Sequence, residues 1–386
     1  MKIIQIIPYY APAWAYGGPP RVMFELAREL TNRGHQIEVL TTDVYDERRI
    51  GIAFNNLEGI RINYLRNVNN YIAWRYKKFI PIGLRNFAKK KITDFELAHY
   101  SAVRGFLSSS TYDILLNRNI PYFIDAHGSL PNPTSWKKVV APIYDKMFMR
   151  PFLDNAKGLF AQTEHEMKMY KNYTNNINVN LLPLPIRTQT FAYLPKRGML
   201  RKKYSIDEDD FVLLFLARIE ERKGISFLLR GFADFIKNTN VKSKLLIVGR
   251  DSGGLNKLRN LIKSLRLERS VILCGPLYDK ERLTAYVDSD VFILTPSYYE
   301  ETSTASLEAC MCGVPIIVTK QAEVPYLHEY EAGFIINYND KNAFIEKLTI
   351  LQSEKLRRKM GKNGIALIQD EFSVEKVTDK FISLVT

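Results

Sequence analysis

Four charged side chains near the ends of predicted strands could bind one anionic, hydroxyl-rich ligand. Arg218 precedes Lys223 by five positions, and Glu300 precedes Glu308 by eight. The apolar run 291–294 predicts a buried parallel strand, and the Pro-Ser pair that follows places Glu300 in the loop at its carboxyl end. Ligands of open α/β sheets bind at that edge. We therefore expect two cations and two carboxylates to converge on one cleft.

The segment that carries Glu308 predicts a helix from Ser303 to Cys312. It begins after hydroxyl residues and ends at Gly313, shortly before a proline. Glu308 then lies two turns inside the helix, where it can face the same cleft. A carboxylate on the helix surface is the alternative, but its apolar neighbours indicate an element packed on most sides. We expect a partner or a ligand for Glu308.

Strands and helices alternate along the whole chain, which predicts an α/β protein with parallel sheets. Gly17 and Gly18 fall in the turn between the first strand and the first helix, where a backbone without side chains can approach a ligand. The pattern is not Gly-x-Gly-x-x-Gly, which argues against dinucleotide binding. The predicted strands are 3–8, 37–41, 95–99, 121–125, 211–216, 244–248, 271–273, 291–294 and 316–318, and the predicted helices are 18–32, 225–237, 255–265, 280–289, 303–312 and 372–384.

Three further stretches accompany the charged pairs: Tyr16-Gly17-Gly18, the run 30–41, and Asp125-Ala126-His127-Gly128. In this order and spacing the motifs resemble the retaining glycosyltransferases of family four (glycosyl transferases group 1). The resemblance covers nearly the whole chain. It implies the GT-B architecture, in which two facing Rossmann-like domains enclose an interdomain cleft and a C-terminal helix crosses back to the first domain.

The resemblance also implies roles for individual residues. In this family a Glu-x7-Glu motif holds the sugar and ribose of a nucleotide-sugar donor, which corresponds to Glu300 and Glu308. An Arg-x4-Lys pair holds the diphosphate, which corresponds to Arg218 and Lys223. These side chains suit the task, because cations neutralise a diphosphate leaving group and a carboxylate accepts two hydrogen bonds from a diol. His127 matches a histidine that the family places near the donor sugar and the acceptor.

Small residues and glycines usually follow the first glutamate of the family motif, whereas this chain has hydroxyl residues. Thr302, Ser303 and Thr304 add hydroxyls at the start of a helix, whose backbone amides can still meet phosphate or sugar oxygens. We include them, with Gly17 and Gly18, among the donor-binding residues. The departure leaves the sugar undefined.

The resemblance implies a retaining transferase that moves a hexose-type sugar from a UDP- or GDP-linked donor to a glycan or lipid-linked acceptor, in cell-surface glycoconjugate or polysaccharide biosynthesis. Arg218, Lys223, Glu300 and His127 would be catalytic, without metal or cofactor. The Asp288-Ser289-Asp290 triplet could be mistaken for an Asp-x-Asp metal site, but it predicts a cap and turn. Another GT-B enzyme, such as a sugar-nucleotide epimerase or a phosphorylase, and a non-catalytic nucleotide-sugar-binding protein remain as alternatives.

The length of 386 residues fits two domains. We expect the first, acceptor-side domain at 1–187 and the second, donor-side domain at 205–365, with a Pro-rich and basic linker over 183–205. Residues 366–386 would return to the first domain. The sequence shows no pattern of a signal peptide or a membrane-spanning segment, and its 3 cysteines are expected to be reduced thiols. We therefore expect a cytoplasmic protein that is at most peripheral on the inner face of the membrane.

The net charge of +14 favours anionic partners. The excess is concentrated between Tyr71 and Arg104, where basic residues alternate with aromatic ones on what reads as a helix. This composition suits an anionic membrane surface, although a solvated basic helix face explains it equally well. Nucleic acid is a third candidate, but no zinc finger, RNA-binding or helix-turn-helix signature supports it. We expect no nucleic acid partner.

Overall fold

The computed structural model describes residues 1–51, 55–130 and 137–386. The chain divides into two compact units. The first comprises Met1–Pro185 together with Val374–Thr386, and the second comprises Ile186–Ser373. Both are α/β units built on largely parallel sheets, as the alternating sequence pattern predicts.

The first unit contains an eight-stranded sheet in the order β3-β4-β2-β1-β5-β6-β7-β8. All neighbouring strands are parallel except β3 and β4. Its strands are β1 Lys2–Ile6, β2 Gln36–Thr42, β3 Asn56–Leu57, β4 Ile60–Leu65, β5 Leu97–Ser101, β6 Tyr122–Asp125, β7 Gly158–Ala161 and β8 Val179–Leu181. Its helices are α1 Gly18–Asn32, α2 Asn70–Tyr76, α3 Leu84–Lys91, α4 Phe106–Asn117, α5 Lys137–Tyr144, α6 Arg150–Asp154, α7 Glu164–Tyr170 and the C-terminal α15 Val374–Val385. Fully buried apolar strands such as β6 and β7 are covered on both faces, which parallel sheets require.

The second unit contains a six-stranded parallel sheet in the order β11-β10-β9-β12-β13-β14. This 3-2-1-4-5-6 order is typical of Rossmann sheets, and its direction of winding reverses between β9 and β12. Its strands are β9 Phe211–Leu216, β10 Ser243–Val248, β11 Val271–Gly275, β12 Val291–Leu294, β13 Ile316–Thr319 and β14 Gly333–Ile336. Its helices are α8 Met199–Lys203, α9 Ile225–Asn238, α10 Leu255–Ser264, α11 Asp279–Val287, α12 Thr304–Met311, α13 Lys341–Ile350 and α14 Glu354–Leu367.

The final helix belongs to the first unit, as the expected fold class requires. Arg33, the C-cap of α1, contacts the Asp379 carboxylate at 2.5 Å and the backbone oxygen of Glu375 at 2.9 Å. Phe381 is fully buried against Phe160, with ring centres 5.6 Å apart. Residues 366–373 stay with the second unit.

The expected linker over 183–205 is mostly part of the second unit rather than a free connection. α8 forms within it, because the Asp288 carboxylate accepts hydrogen bonds from the backbone amides of Gly198, Leu200 and Arg201 at 2.5, 2.6 and 3.2 Å. The partner lies about ninety residues further along the chain, so local composition could not indicate it.

The basic segment 71–104 is not one helix. α2 ends where Lys77 adopts a left-handed backbone conformation with φ +55°, and α3 begins only after Gly83. Within the described ranges, we find no helix that combines the length and the apolar character needed to cross a bilayer.

Candidate active site

The charged residues of the second unit follow the carboxyl ends of β9 and β12, on either side of the point where the sheet order reverses. Glycines let these loops pack tightly. A Cβ atom on Gly224 would lie 1.5 Å from the backbone oxygen of Thr295, and one on Gly249 would lie 1.8 Å from that of Ala217. Gly224 also adopts φ +70°. The loops that carry Arg218, Lys223 and Glu300 are therefore held together at the edge of the sheet where ligands bind.

Lys223 and Glu300 form an ion pair. The lysine is buried, whereas the glutamate side chain keeps 31% of its surface exposed. The amide of Glu300 donates to the backbone oxygen of Gln321 at 2.7 Å, which fixes its loop against the one that follows β13. An ammonium and a carboxylate thus meet with one side open to solvent, where an anion and a hydroxyl could both be bound.

The Arg218 guanidinium is about half exposed, at 52%, and contacts the Glu220 carboxylate at 3.1 Å. The backbone on either side of Arg218 is fixed by two hydrogen bonds. The Ala217 amide donates to the backbone oxygen of Val248 at 3.1 Å, and the Ile219 amide donates to that of Arg250 at 2.9 Å. An exposed ion pair of this kind is weak. The side chain can therefore exchange Glu220 for a phosphate at small cost.

Glu308 is buried and held by two residues of α11. Arg282 donates to one carboxylate oxygen at 2.7 Å, and the Tyr286 hydroxyl donates to the other at 2.9 Å. Burial, together with this carboxylate, raises the pKa of Tyr286 well above its ordinary value. Each oxygen has further lone pairs, so a fixed carboxylate of this kind can still accept hydrogen bonds from a diol.

The three predicted hydroxyl residues differ in what they offer a ligand. Thr302 is buried, and its hydroxyl donates to the backbone oxygen of Glu323 at 3.0 Å. Ser303 stands at the N-cap of α12, and Thr304 is the first helical residue. In the described part of the chain the Ser303 side chain makes no capping hydrogen bond. Ser303 and Thr304 can therefore present hydroxyl and amide groups, whereas Thr302 ties the loop down.

The Asp288-Ser289-Asp290 triplet is a structural junction. Asp288 caps α8, and Asp290 pairs with Arg197 at 2.8 Å and with Arg201 at 3.0 Å. Asp290 also accepts the amide of Val212 at 2.8 Å. Across residues 1–51, 55–130 and 137–386, no group of three or more His, Cys, Asp or Glu side chains is arranged to hold a metal ion. That the protein works without metal stays a prediction.

In the first unit, Gly17 is the N-cap of α1 and Gly18 is the first residue of that helix, at the end of the loop that follows β1. Gly17 adopts φ +110°, and a Cβ atom on either glycine would meet nothing within 4 Å. The start of α1 is thus open, but Pro19 and Pro20 follow, so only Gly18 among the first three helical residues has an N–H to donate. A ligand would meet bare backbone here rather than a full set of helix amides.

His127 lies two residues after the end of β6, in a left-handed conformation with φ +46°. Gln162 donates to its Nδ1 at 2.6 Å, and an Asp125 carboxylate oxygen lies 3.2 Å from the same nitrogen. Accepting from Gln162 leaves the ring proton on Nε2. Burial lowers the pKa of His127 to about 3, so the ring is neutral at pH 7. Within the described residues, Nε2 is buried without a hydrogen-bond partner.

A buried carboxylate fixes the loop around His127. Glu166 accepts the amide of Gly128 at 3.1 Å and that of Gln162 at 2.9 Å. Burial, and the nearby Glu166, raise the pKa of Asp125 well above its ordinary value. Glu166 thus fixes the loop that holds the neutral His127 ring, whose buried Nε2 has no hydrogen-bond partner within the described residues.

His99, the last residue of the predicted strand 95–99, does not reach the surface. It lies in the middle of β5, fully buried, with its ring centre 5.9 Å from that of Phe160 and 5.1 Å from that of Phe381. Burial and the neighbouring His127 lower its pKa to about 3. His99 is a core residue.

Four residues of these sites were missed from the sequence: Arg282 and Tyr286 beside Glu308, and Gln162 and Glu166 beside His127. Three of them had a recognisable signal. Arg282 and Tyr286 are four positions apart on one helix, so they share a face. Thr163-x-x-Glu166 is a capping pattern, and the Thr163 hydroxyl does accept the Glu166 amide at 3.1 Å. Nothing local indicates which distant groups these side chains hold.

Two family models match the chain and together cover most of it. Glycosyltransferase Family 4 matches residues 16–189, and Glycosyl transferases group 1 matches residues 196–367. The chain belongs to glycosyltransferase family 4. The predicted family is thereby confirmed, and with it a glycosyltransferase activity.

The known proteins similar to this family 4 glycosyltransferase match from about half to all of its length. N-acetyl-alpha-D-glucosaminyl L-malate synthase of Bacillus anthracis is 23% identical over 379 residues, which are 95% of this chain and 92% of that protein. UDP-Gal:alpha-D-GlcNAc-diphosphoundecaprenol alpha-1,3-galactosyltransferase of Escherichia coli is 26% identical over 224 residues, 57% of each chain. Anabaena Alr3699/HepE in complex with UDP superposes with a TM-score of 0.76 at 14% identity, over 100% of this chain and 99% of that one. The last likeness confirms the GT-B class of fold.

Proposed function

We propose that this family 4 glycosyltransferase moves a hexose-type sugar from a UDP- or GDP-linked donor to a glycan or lipid-linked acceptor, with retention of configuration and without metal. The Lys223–Glu300 ion pair at the reversal point of the second sheet carries the proposal. It sets a buried cation beside a carboxylate that opens to solvent, as a diphosphate linked to a sugar requires. The UDP-bound Anabaena neighbour and the UDP-galactose-using relative support a uridine donor.

In this proposal, Lys223 and Arg218 bind the diphosphate and stabilise its charge as the sugar–phosphate bond breaks. Lys223 is preorganised by burial, whereas Arg218 must first leave Glu220. Glu300 accepts hydrogen bonds from the sugar. Glu308, held by Arg282 and Tyr286, accepts them from the ribose.

Retention follows if the acceptor attacks from the side on which the diphosphate leaves. The bond from the anomeric carbon to the phosphate oxygen breaks, the bond to the acceptor oxygen forms, and the departing phosphate takes the acceptor proton. Glu300 is a poor covalent nucleophile because Lys223 engages its carboxylate. His127 contributes the neutral Nε2–H donor to a substrate oxygen.

The acceptor class rests on the names of relatives, one of which uses a diphosphoundecaprenol-linked acceptor. Synthesis of a polysaccharide or another glycoconjugate, in the cytoplasm or at the inner face of the membrane, stays our prediction for this chain.

A thermal-shift screen against nucleotide sugars tests the proposed donor site. A donor at about a hundred times its Kd should stabilise the fold by roughly 2.7 kcal/mol. Lys223→Ala should abolish that shift, and Lys237→Ala, an exposed lysine on α9, should not. If no nucleotide sugar stabilises the wild type, the donor site is wrong. Isomerised donor in the absence of acceptor would favour an epimerase, sugar phosphate a phosphorylase, and binding without turnover a non-catalytic protein.

A further inference from the structure

Residues 66–82 of the first unit form a hairpin that exposes several large apolar side chains. Asn67 and Pro81 are bridged in antiparallel register, with the Val68 amide donating to Ile80 at 3.0 Å and the Ile82 amide to Arg66 at 2.8 Å. Because side chains alternate along paired strands, Arg66, Val68, Ile80 and Ile82 share one side. Asn67 and Pro81 are buried on the other.

α2 lies inside this hairpin and exposes a row of its own. Tyr71, Ile72, Arg75 and Tyr76 are spaced to share one side of the helix, whereas Ala73 is fully buried. We call the exposed set the hairpin face. Its large apolar side chains, each 43–59% exposed, are Val68, Tyr71, Ile72, Tyr76, Ile80 and Ile82. Single exposed apolar residues are ordinary, but six within seventeen positions indicate an interaction surface.

The charged residues of the hairpin itself are all basic. Arg66, Arg75, Lys77 and Lys78 are exposed on the hairpin, and no acidic residue occurs from position 66 to position 93. Aliphatic, tyrosine and basic side chains on one surface are typical of the boundary between lipid headgroups and acyl chains. A nucleic acid would use the cations but leave the aliphatic side chains exposed to water.

The hairpin is attached to the loop that precedes α1. Trp74 packs edge-on against Tyr16 with ring centres 5.1 Å apart, and Phe79 lies 5.7 Å from the same ring. The Lys77 ammonium sits 4.4 Å above it. Tyr16 directly precedes Gly17 and Gly18. A surface that binds the hairpin face therefore also lies close to Gly17 and Gly18.

We propose that the hairpin face docks the protein on an anionic lipid bilayer, with its apolar side chains at the acyl boundary and its basic side chains among the headgroups. Docking of this kind places Gly17 and Gly18 beside the lipid surface. The surface differs from the one that the sequence suggested. α3 carries much of the charge of segment 71–104, but Arg85 there is engaged by Asp113 at 2.7 Å, and the apolar contribution comes from the hairpin.

Cosedimentation with vesicles tests the proposal without using the transfer reaction, so its outcome is separate from that of the proposed function. The wild type should bind phosphatidylglycerol-containing vesicles and bind pure phosphatidylcholine at least tenfold less. Neutralising two basic residues in Arg75→Gln/Lys78→Gln should weaken binding about 25-fold. Removing apolar surface in Ile80→Ser/Ile82→Ser should weaken it roughly tenfold or more, including at high salt.

Two control variants match these changes elsewhere in the chain. Lys237→Gln/Lys263→Gln removes the same charge from the second unit, and Ile177→Ser removes a 97% exposed isoleucine. Both should bind as the wild type does. Equal binding to the two vesicle types, no binding, or controls as weak as the hairpin variants would overturn the proposal. Light scattering that shows a dimer in the wild type and a monomer in Ile80→Ser/Ile82→Ser would also overturn it, because the hairpin face would then bind a second copy of the chain.

Discussion

Replacing Lys223 separates the fold from the chemistry at the proposed donor site. The lysine is buried, and its partner Glu300 is only 31% exposed. Lys223→Met therefore leaves a partly solvated carboxylate without its cation, which should cost roughly 1–3 kcal/mol of stability. Turnover should fall about a hundredfold, because one charge-assisted contact to the leaving diphosphate contributes on the order of 3 kcal/mol to the transition state.

A double variant provides the control. Lys223→Met/Glu300→Gln removes both charges and should recover most of the lost stability, yet it should remain inactive. Arg218→Ala, at a half-exposed side chain, should leave the melting temperature unchanged and still lose about a hundredfold in rate. The measurements are thermal or urea unfolding, together with initial rates of sugar transfer. If the double variant regains activity, or if Lys223→Met keeps near-normal rates, the pair is structural and the diphosphate is bound elsewhere.

Three further predictions follow from the structure. Activity should survive EDTA, since fixed cations take the place of a metal; loss of transfer that manganese or magnesium restores would contradict this. The pKa of His99 is lowered to about 3 in the folded protein. Below pH 6.5 the unfolded chain therefore binds a proton at this position that the folded chain does not bind, so the free energy of unfolding decreases as the pH is lowered. His99→Leu should remove that loss and gain roughly 2.7 kcal/mol over wild type between pH 6.5 and 4.5 by urea unfolding, whereas a gain independent of pH would argue against the assignment. Gly224→Ala should destabilise the protein by more than about 3 kcal/mol, because its Cβ atom would overlap the backbone oxygen of Thr295. Gly253→Ala, whose Cβ atom would meet nothing within 4 Å, should cost about 1 kcal/mol. Equal melting temperatures of the two variants would refute the packing argument.

The sequence predicted the elements whose cause is local. The helix over 18–32 and the strand over 211–216 have the predicted bounds. Apolar periodicity and flanking glycines define the helix, and a continuous apolar run between charged residues defines the strand. The strand expected at 95–99 begins instead at Leu97, since the Phe95 amide closes a turn onto Ile92. Errors of this size concern the ends of elements, where turn geometry competes with hydrophobic pattern.

The larger errors and omissions involve contacts between distant residues. Asp288 orders α8 from about ninety positions away, which removes most of the expected linker. The bridge between Asn67 and Pro81 divides the basic segment that composition suggested as one helix. Arg282 beside Glu308 could not be paired with it from spacing alone. The sequence thus predicts which residues could do chemistry, and tertiary pairing determines what holds them.

The most direct measurement is transfer itself, with the donor that stabilises the fold best and a candidate acceptor. We expect the wild type to form a glycoside whose anomeric configuration, read by NMR coupling constants, matches that of the donor. We expect Lys223→Met to form about a hundredfold less of it. A glycoside of inverted configuration would contradict the proposed mechanism. Product formation at the same rate by both proteins would contradict the proposed donor site.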